Sequence, residues 1–348
     1  MSKTAEKSHK VCLAGAYGMG SCGDEAMLRS VISALRSKYP GCELTVISHS
    51  PQKTAEACGV SSVYTFDLAG ITKTLRESRA LVFGGGSVLQ TSSSRRSLYY
   101  YLWLMKLAKR LGKAVVFYGC GFGPVENERD LSRCVQAINS CRGVFCARDR
   151  LCFDTLISLG VDKEKLVLSA DPALALTPAG DDGVSAYLAA NGVDIREKTV
   201  LFCVKDGASP DEVKSAAARL SGMGCNIVFA IVNSADTAMT KSLSDDFPVI
   251  DCTGDFELLA GILKKTSLCV SMRLHALVAA VTAGTAFIAV GDDPKLKGLA
   301  DYAGGVVISS FSELRSLPAA IQSDLVKLKA AEMKNLSAAA QYIEKENE

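Results

Sequence analysis

Short apolar segments alternate with amphipathic segments along most of the chain, and this pattern restricts the fold more than any other feature. The apolar segments are rich in Val, Leu and Phe and end near glycine or polar residues, as buried strands of a parallel sheet do. The segments between them, such as 25–39 and 97–112, have helical spacing. The alternation therefore predicts right-handed βαβ units in an α/β fold. The predicted strands are 11–16, 43–48, 80–86, 114–121 and 143–147, followed by 199–205, 226–232, 267–272 and 286–291.

A turn-rich polar segment, TPAGDDG at 177–183, interrupts this alternation. The chain has 348 residues, about twice the size of a typical domain, so two domains are expected. We predict an N-terminal Rossmann-like domain over 1–178, a C-terminal one over 179–311, and a charged helical tail over 312–348. Two similar α/β domains predict a cleft between them, which is where ligands commonly bind.

Composition excludes several classes of protein. The net charge is +2, so the chain has no broad basic field for nucleic acid. The N-terminus, MSKTAEKSHK, lacks a signal-peptide core, and the longest uncharged stretch, 276–291, is shorter than a membrane span of about 20 residues. We therefore expect a cytoplasmic protein. Thirteen cysteines form no C-x-x-C pair and match no zinc spacing, so we expect buried reduced thiols and no metal site.

The glycine-rich stretch GAYGMGSCGDE, residues 15–25, contains a literal G-x-G-x-x-G at 18–23. It follows a predicted strand and opens a helix, which is the context of a dinucleotide-binding turn. Such sites also need an acid at the end of the second strand, to bind the ribose hydroxyls. The second strand, ELTVISHS, has Glu43 at its start and His49 and Ser50 at its far end. This placement argues against NAD.

Other anionic or sugar ligands would suit the same turn. Gly18 and Gly20 let the backbone turn tightly, and the helix that follows presents free N–H groups. Asp24 and Glu25 in its first turn either favour the helix dipole or contact sugar hydroxyls, and the sequence leaves both interpretations open.

A second glycine-rich stretch, 84–86, ends another predicted strand at the same edge of the sheet. Gly85 and Gly86 could admit a ligand closely, and the hydroxyl-rich loop that follows, with Gln90, could contact sugar oxygens. An ordinary flexible loop explains the composition equally well.

Positive side chains follow several predicted strands. Ser271 is a natural N-cap and Gly284 a natural helix stop, which places Arg273 and His275 in a first helical turn, where anions bind. Residues two apart on a regular helix point about 200° from each other, so both can face one ligand only if this turn is irregular.

Two further cations lie at comparable positions. Arg148 follows one predicted strand and can donate two hydrogen bonds to a phosphate or carboxylate, although an ion pair with Asp149 is the simpler interpretation. Lys295 follows the last predicted strand, where a solvated surface lysine is the default.

Four segments together resemble the polysaccharide pyruvyl transferase family, in the family's order. They are GAYGMGSCGDEAML, the long stretch from LVFGGG to GCGFGP, CARD, and SMRLHALVAAVTAGT, and the resemblance covers roughly residues 10 to 310. It implies a GT-B-like fold and transfer of a pyruvyl group from phosphoenolpyruvate to a sugar, forming a ketal and free phosphate. Four positions depart from the family pattern, mostly on the predicted acceptor side: Ser21, Thr91, Cys120 and Lys205.

The resemblance also implies roles for individual residues. Arg273, Leu274, His275 and Arg148 would bind the donor, and His275, Arg148 and Lys295 would act in catalysis. The acceptor would contact Gly18, Gly20, Asp24, Glu25, Gly85, Gly86 and Gln90. Phosphoenolpyruvate is expected as donor substrate, without a further cofactor. A sugar or lipid-linked oligosaccharide is the expected acceptor, and a lipid-linked one would bring the protein into peripheral contact with the inner membrane face.

Three other classes stay open at the level of sequence. A nucleotide-sugar glycosyltransferase can share this fold, because fold does not determine function. A dinucleotide-dependent oxidoreductase would bind NAD, and a non-catalytic glycan-binding protein would tolerate loss of Arg273 and His275. Binding of phosphoenolpyruvate, UDP or NAD would discriminate among the enzyme classes.

Overall fold

The computed structural model describes residues 9–195, 198–316 and 324–344. By their internal contacts, the described residues form two compact units. The first, here the N-terminal unit, comprises residues up to Met19, Met27–Pro172 and residues from Ala330 onward. The second, here the C-terminal unit, comprises Gly20–Ala26 and Ala173–Lys329.

The described part of the N-terminal unit contains a seven-stranded parallel sheet in the order β3-β2-β1-β4-β5-β6-β7. Its strands are β1 (Lys10–Ala14), β2 (Glu43–Ser48), β3 (Ser61–Tyr64), β4 (Ala80–Gly84), β5 (Ala114–Cys120), β6 (Gly143–Ala147) and β7 (Leu166–Leu168). The helices of this part of the chain are α1 (Cys22–Lys38), α2 (Pro51–Cys58), α3 (Leu68–Glu77), α4 (Arg95–Arg110), α5 (Glu128–Ser140) and α6 (Arg150–Ser158).

The described part of the C-terminal unit contains a six-stranded parallel sheet in the order β10-β9-β8-β11-β12-β13. Its strands are β8 (Thr199–Cys203), β9 (Asn226–Ile231), β10 (Val249–Asp251), β11 (Leu268–Ser271), β12 (Ala286–Val290) and β13 (Val306–Ile308). The remaining helices are α7 (Asp181–Ala190), α8 (Pro210–Gly222), α9 (Thr237–Lys241), α10 (Phe256–Leu263), α11 (Leu274–Ala283), α12 (Pro294–Ala303) and α13 (Leu325–Ile343). Among the described helices, none has the length and apolar character needed to cross a membrane.

Both faces of the N-terminal sheet are buried, as the continuous apolar runs predict. Along β1, Val11 and Leu13 face one core layer, and Cys12 and Ala14 face the other. Ile343 near the end of α13 joins the layer of Val11 and Leu13. The thirteen cysteines are all free thiols, and most are buried, so they pack as small apolar side chains.

All nine predicted strands are confirmed, and four further strands were missed. The missed strands β3, β7, β10 and β13 are the two edges of each sheet. They are only three or four residues long and mostly half-exposed; β7 (LVL) and β13 (VVI) are apolar but too short to stand out as strands, and β3 (SSVY) and β10 (VID) contain polar residues. An edge strand is recognised by its hydrogen bonds to a neighbour rather than by local composition.

The division into units differs from the predicted boundaries. The boundary lies at Pro172 rather than after residue 178, and the chain returns to the N-terminal unit at Ala330, because the apolar face of α13 packs into that unit's core. Within the predicted tail, residues up to Lys329 therefore group with the C-terminal unit and residues from Ala330 with the N-terminal unit. Residues 317–323 and 345–348 of the tail lie outside the described range. Gly20–Ala26 group with the C-terminal unit because the Cys22 N–H donates to the Val232 carbonyl, at 3.3 Å.

A buried acid on α13 makes the stability of the protein pH-dependent. Burial raises the pKa of Glu332 to about 7, with a further contribution from Asp171, while hydrogen bonds with Asn335 and Tyr118 oppose the shift. The folded chain thus holds this proton more tightly than the unfolded chain does. Stability should therefore fall as the pH rises from about 4.5 to about 7, and the loss should persist at higher pH.

We expect Glu332→Gln to raise the free energy of unfolding at pH 8 by up to about 3 kcal/mol, because glutamine carries no charge to bury. At pH 4 the variant and the wild type should be nearly equal. Urea unfolding at both pH values measures the difference. Glu56→Gln, at an exposed position of α2, is the matched control and should change little at either pH. Equal pH dependence in wild type and Glu332→Gln would contradict the assignment.

Candidate functional site

The strand order of the C-terminal sheet reverses between β8 and β11. Strands β9 and β10 extend the sheet on one side of this pair, and β12 and β13 extend it on the other. In open parallel sheets, ligands bind at this topological switch point, beyond the carboxyl ends of the strands. Arg273 lies two residues after β11, so it is positioned at the switch point.

Arg273 precedes helix α11 rather than lying within it. Its backbone is extended, with φ −108° and ψ 121°, and it occupies the N-cap position of a helix that begins at Leu274. The predicted N-cap at Ser271 is therefore wrong, although the Ser271 hydroxyl accepts a hydrogen bond from the Arg273 N–H at 2.8 Å. The predicted helix stop is confirmed, because Gly284 caps α11 with φ 74°. The irregular turn that the arginine and histidine spacing requires is thus present.

A buried carboxylate holds the Arg273 guanidinium. Nε of Arg273 donates to Oδ2 of Asp236 at 2.7 Å, and Nη2 donates to Oδ1 at 2.5 Å. Asp236 is fully buried, and its Oδ1 also accepts the backbone N–H of Asp206 at 2.8 Å. An arginine held along its Nε–Nη2 edge can still donate from Nη1 to an anion.

Asp236 was not predicted from the sequence. It lies in NSAD, residues 233–236, just beyond β9, the strand next to β8. An acid just after a buried strand beside the switch point is the signal that could have identified it.

The glycine-rich turn approaches the segment that carries Asp236. Ser21 forms an isolated antiparallel bridge with Asn233, three residues before Asp236. Gly20 has a φ of 75°, and a Cβ added to it would lie 3.7 Å from its nearest neighbour, Ser234 Oγ. The space beside Gly20 is therefore open. The first turn of α1 therefore belongs to the same site as Arg273.

Gly23 gives His275 its position. A Cβ at Gly23 would overlap the imidazole of His275, with Nδ1, Cγ and Cε1 all too close. The last glycine of the G-x-G-x-x-G pattern therefore makes room for a side chain of the protein rather than for a pyrophosphate. Asp24 and Glu25 follow in the first turn of α1, in the same unit.

Lys295 lies in the first turn of α12, also in the C-terminal unit. Its Nζ is 3.0 Å from Oδ2 of Asp293, the N-cap residue of that helix. The side chain is 43% exposed, so the lysine is a solvated partner of a neighbouring acid in this structure.

Arg148 lies in the N-terminal unit, directly after β6, and is buried. Its Nε is 3.4 Å from Oδ2 of Asp149, so the predicted ion pair is present. Burial opposes the charged form of Arg148, but Asp149 and Asp171 outweigh it and raise the pKa of the guanidinium. A Cβ at Gly121 would meet the Arg148 guanidinium, so this glycine leaves the space that the arginine fills.

The predicted acceptor glycines of the N-terminal unit pack against side chains of the protein. A Cβ at Gly18, whose φ is 78°, would meet Ser48, and a Cβ at Gly85, whose φ is 83°, would meet the Met27 thioether. The Gly86 N–H donates to Met27 Sδ at 3.1 Å. Each glycine is thus explained by its left-handed backbone and close packing.

Gln90 folds back onto its own loop. Its Nε2 donates to Ser93 Oγ at 2.6 Å, and its Oε1 accepts the Ser93 N–H at 3.0 Å. The loop also bonds to the segment GCGFGP, residues 119–124, because the Thr91 N–H donates to the Pro124 carbonyl at 2.9 Å. The hydroxyl-rich loop is therefore internally bonded rather than open.

The predicted site residues divide between the two units. One group lies in the C-terminal unit: Gly20, Asp24, Glu25, Arg273, Leu274, His275 and Lys295. The other lies in the N-terminal unit: Gly18, Gly85, Gly86, Gln90 and Arg148. The sequence predicted that the first glycine-rich turn lies wholly in the N-terminal domain. In the structure the turn crosses from the N-terminal unit to the C-terminal unit after Met19. Over 9–195, 198–316 and 324–344, no group of His, Cys, Asp and Glu side chains is arranged to hold a metal ion.

Three solved structures similar to this chain contain UDP, two of them together with UDP-GlcNAc or glucose. The Staphylococcus aureus MnaA–UDP structure superposes with a TM-score of 0.62 at 11% identity, covering 97% of this chain and 88% of that one. The Methanocaldococcus jannaschii UDP-GlcNAc 2-epimerase in complex with UDP-GlcNAc and UDP gives 0.60 at 12% identity, with coverage of 97% and 93%. Anabaena HepE in complex with UDP and glucose gives 0.58 at 11%, with coverage of 96% and 93%.

These likenesses establish the fold alone: two Rossmann-like domains of the GT-B type. Comparison of the sequence with curated proteins finds no match. The sequence profile of the polysaccharide pyruvyl transferases matches residues 22–294, which include Asp24, Glu25, Arg148 and the Arg273–His275 turn, whereas Gly18, Gly20 and Lys295 lie outside the match. The chain therefore belongs to the polysaccharide pyruvyl transferase family.

Proposed function

We propose that the protein transfers a pyruvyl group from phosphoenolpyruvate to a sugar of a cell-wall or surface polysaccharide precursor. The products would be a pyruvate ketal and free phosphate. The observation that carries this proposal is the Arg273 guanidinium, held by buried Asp236 at the switch point, with His275 two residues further on. Membership of the pyruvyl transferase family supports the same reaction class.

Phosphoenolpyruvate carries a phosphate and a carboxylate, and an arginine suits both because its N–H groups match two oxygens at once. Arg273 would bind one of these groups through its remaining N–H donors. The N-terminus of α11 adds backbone N–H groups and the positive end of the helix dipole. The family resemblance adds Arg148 and Lys295 as further cations for the donor, and this assignment stays a prediction.

The reaction needs proton transfer at two points. A sugar hydroxyl attacks the carbon that bears the phosphate ester while the neighbouring methylene carbon accepts a proton. A second hydroxyl of the same sugar then attacks the carbon that bears the phosphate ester, the bond from this carbon to the ester oxygen breaks, and phosphate leaves. Each attacking hydroxyl loses its proton. His275 is the proposed acid and base, because an imidazole can give and take a proton near neutral pH.

On the acceptor side, the predicted contacts for sugar hydroxyls stay Gly18, Gly20, Asp24, Glu25, Gly85, Gly86 and Gln90. A lipid-linked precursor would carry the protein to the inner face of the membrane without a membrane-spanning helix. The acceptor sugar itself is identified by experiment rather than by the fold.

Calorimetric titration of the wild-type protein with phosphoenolpyruvate, UDP and NAD tests the donor. Saturable binding of phosphoenolpyruvate, with phosphate released only when an amino-sugar acceptor is added, would support the proposal. Tight binding of UDP without any phosphoenolpyruvate signal would replace it with a GT-B nucleotide-sugar glycosyltransferase. That second candidate is favoured by the UDP-bound structures that share the fold.

Gly23→Ala tests the position of His275 without changing its chemistry. The new methyl group would overlap the imidazole, which must then move away from its place beside the first turn of α1. We expect kcat to fall by about 10- to 100-fold, since a misplaced catalytic group loses most of its contribution. Phosphate release under saturating donor measures the change.

Two control variants define the limits of that experiment. His275→Ala gives the rate without the imidazole, and Gly23→Ala should not fall below it. Gly183→Ala, at a glycine in the first turn of α7 with open surroundings and no positive φ, is the matched glycine-to-alanine control and should keep the wild-type kcat. Wild-type kcat in Gly23→Ala would mean that the position of His275 does not matter for turnover.

A further inference from the structure

Aromatic rings form a continuous row in the N-terminal unit, of which His49, Tyr64 and Phe66 are exposed while Tyr100 and Trp103 are partly buried against the core. The row runs from His49 through Tyr64, Phe66 and Tyr100 to Trp103, with centroid distances of 5.9, 5.6, 6.2 and 5.9 Å. We call these five residues the aromatic row.

The middle of the aromatic row is unusually exposed. Phe66 is 62% exposed and Tyr64 is 42% exposed, and Leu68, two residues further on, is 54% exposed. Large apolar side chains at alternate positions on a surface mark a binding site when they form a contiguous patch. A folded chain gains nothing from leaving these rings in water.

The row is held firmly in place. The Tyr100 hydroxyl donates to the Thr65 carbonyl at 3.0 Å, which ties the segment between β3 and α3 to helix α4. The Thr65 N–H in turn donates to the Ser48 carbonyl at 3.0 Å. The rings are therefore presented by bonded backbone rather than by a free loop, which reduces the entropy lost on binding.

One end of the row meets the glycine-rich turn. The His49 N–H donates to the Tyr17 carbonyl at 3.0 Å, and the Ser50 hydroxyl donates to the Gly18 carbonyl at 2.9 Å. Gly18 is one of the predicted acceptor contacts. A ligand bound at this turn could thus continue onto the aromatic row.

The chemistry of the row fits a carbohydrate chain. One face of a sugar ring presents C–H groups, which the negative face of an aromatic ring attracts, while tyrosine and histidine also offer polar atoms to hydroxyls. Asp67, exposed between Phe66 and Leu68, caps α3 by accepting the Gly70 N–H on Oδ1 at 2.9 Å, and its Oδ2 adds an acceptor for a sugar hydroxyl.

The same acid disfavours a lipid surface. The segment SSVYTFDL, residues 61–68, contains Asp67 and neither Lys nor Arg. An ionised carboxylate among the rings is costly in an apolar phase and is repelled by anionic headgroups. A membrane-binding patch would carry basic residues instead.

We infer that the aromatic row binds the sugar units of the acceptor glycan beyond the unit that is modified. The inference rests on the proposed sugar acceptor. It extends that function to an acceptor that is a chain of several sugars rather than a single one, and it makes Phe66 and Tyr64 specificity-determining residues.

Trp103 is the chain's single tryptophan and lies in the row, so its fluorescence reports occupancy directly. The wild-type protein would be titrated with tetrasaccharides of glucose, galactose, mannose and N-acetylglucosamine and with their monosaccharides. We expect at least one tetrasaccharide to change the emission saturably, and its monosaccharide to bind at least about tenfold more weakly.

Three variants separate stacking from other effects. Phe66→Ala should weaken tetrasaccharide binding about tenfold, and Phe66→Leu should weaken it nearly as much because leucine is apolar but offers no ring face. Ile157→Ala removes a 38% exposed apolar side chain of α6 outside the row and should leave binding unchanged. Since all these side chains are exposed, the variants should fold.

The outcomes are distinct. No emission change with any of the tetrasaccharides, or equal binding by Phe66→Ala, would overturn the inference. A response to phosphatidylglycerol vesicles that Phe66→Leu retains, without a response to sugars, would assign the row to a lipid surface instead. Tetrasaccharide binding without phosphate release from phosphoenolpyruvate would leave this inference standing while contradicting the proposed transfer reaction.

Discussion

Replacing Arg273 by alanine should lower kcat/KM for phosphoenolpyruvate by about 10³-fold, equivalent to roughly 4 kcal/mol of transition-state binding. Arg273 lies at the switch point of the C-terminal sheet, with its Nε and Nη2 bonded to Asp236. Its remaining N–H donors would bind the phosphate or carboxylate of the donor in charge-assisted hydrogen bonds. Alanine removes these donors and leaves the helix terminus as the remaining anion-binding group of that turn.

Two measurements test this expectation. Calorimetry should show loss of saturable phosphoenolpyruvate binding in Arg273→Ala, and phosphate release should fall in parallel. Arg273→Lys keeps the charge but not the paired donors, so it should recover only a small part of the loss.

A surface arginine provides the matched control. Arg150 forms an exposed ion pair with Asp154 on α6, and Arg150→Ala should leave both binding and turnover unchanged. Normal phosphoenolpyruvate turnover in Arg273→Ala would remove the arginine from the donor site and with it the central argument for the proposed function.

Asp236→Asn is expected to lower kcat/KM by about 100-fold, although Asp236 touches no proposed substrate. Asp236 is a positioning residue: it is fully buried, and it orients the guanidinium of Arg273. An asparagine keeps the shape but turns an amide N–H₂ toward the arginine donors. The free energy of unfolding should also fall, by about 2 kcal/mol, because a buried pair has lost one charged partner while Arg273 still reaches water.

A double-mutant cycle shows whether the effect passes through Arg273. In the Arg273→Ala background, Asp236→Asn should cost little or no further activity, because the side chain that it positions is already absent. Additive losses in the double variant would mean that Asp236 acts on the reaction by another route.

A second buried acid separates activity from stability. Asp130 in the N-terminal unit is also fully buried and accepts hydrogen bonds from Arg95 and Arg133. Asp130→Asn should therefore lower the free energy of unfolding to a similar extent while leaving kcat/KM nearly unchanged. Equal losses of activity in the two asparagine variants would mean that general destabilisation, rather than positioning of Arg273, explains the effect.

The sequence predicted the interior of both sheets because burial on two faces leaves a local signature. Strands such as β4 and β11 are continuous apolar runs, and the helices between them show helical spacing. The edge strands have only one neighbour and are three or four residues long, so they are too short to show a strand pattern even where they are apolar, as in β13. The sequence also did not predict that the glycine-rich turn crosses between the units, because local composition does not indicate which distant segment a turn contacts.

The residues of the candidate site were likewise predicted only where a local sequence pattern marks them. Arg273 and His275 were found from sequence because charged side chains after a buried strand are conspicuous in a chain with three histidines. Asp236 was missed because it is 37 residues away from Arg273 along the chain. The start of α11 at Leu274 rather than after Ser271 was also missed, since several polar residues there can cap a helix.

The amino-acid sequence by itself determined the α/β class, the central strands, the helix stop at Gly284 and the family, because burial periodicity and short motifs are local properties of the chain. Only the tertiary structure decided that Asp236 holds Arg273 and that Gly23 makes room for His275. These contacts join the ends of β9 and β11 and the start of α1, which are distant in sequence. Their geometry follows from the strand order of the sheet, and strand order is set by long-range pairing that no local pattern encodes.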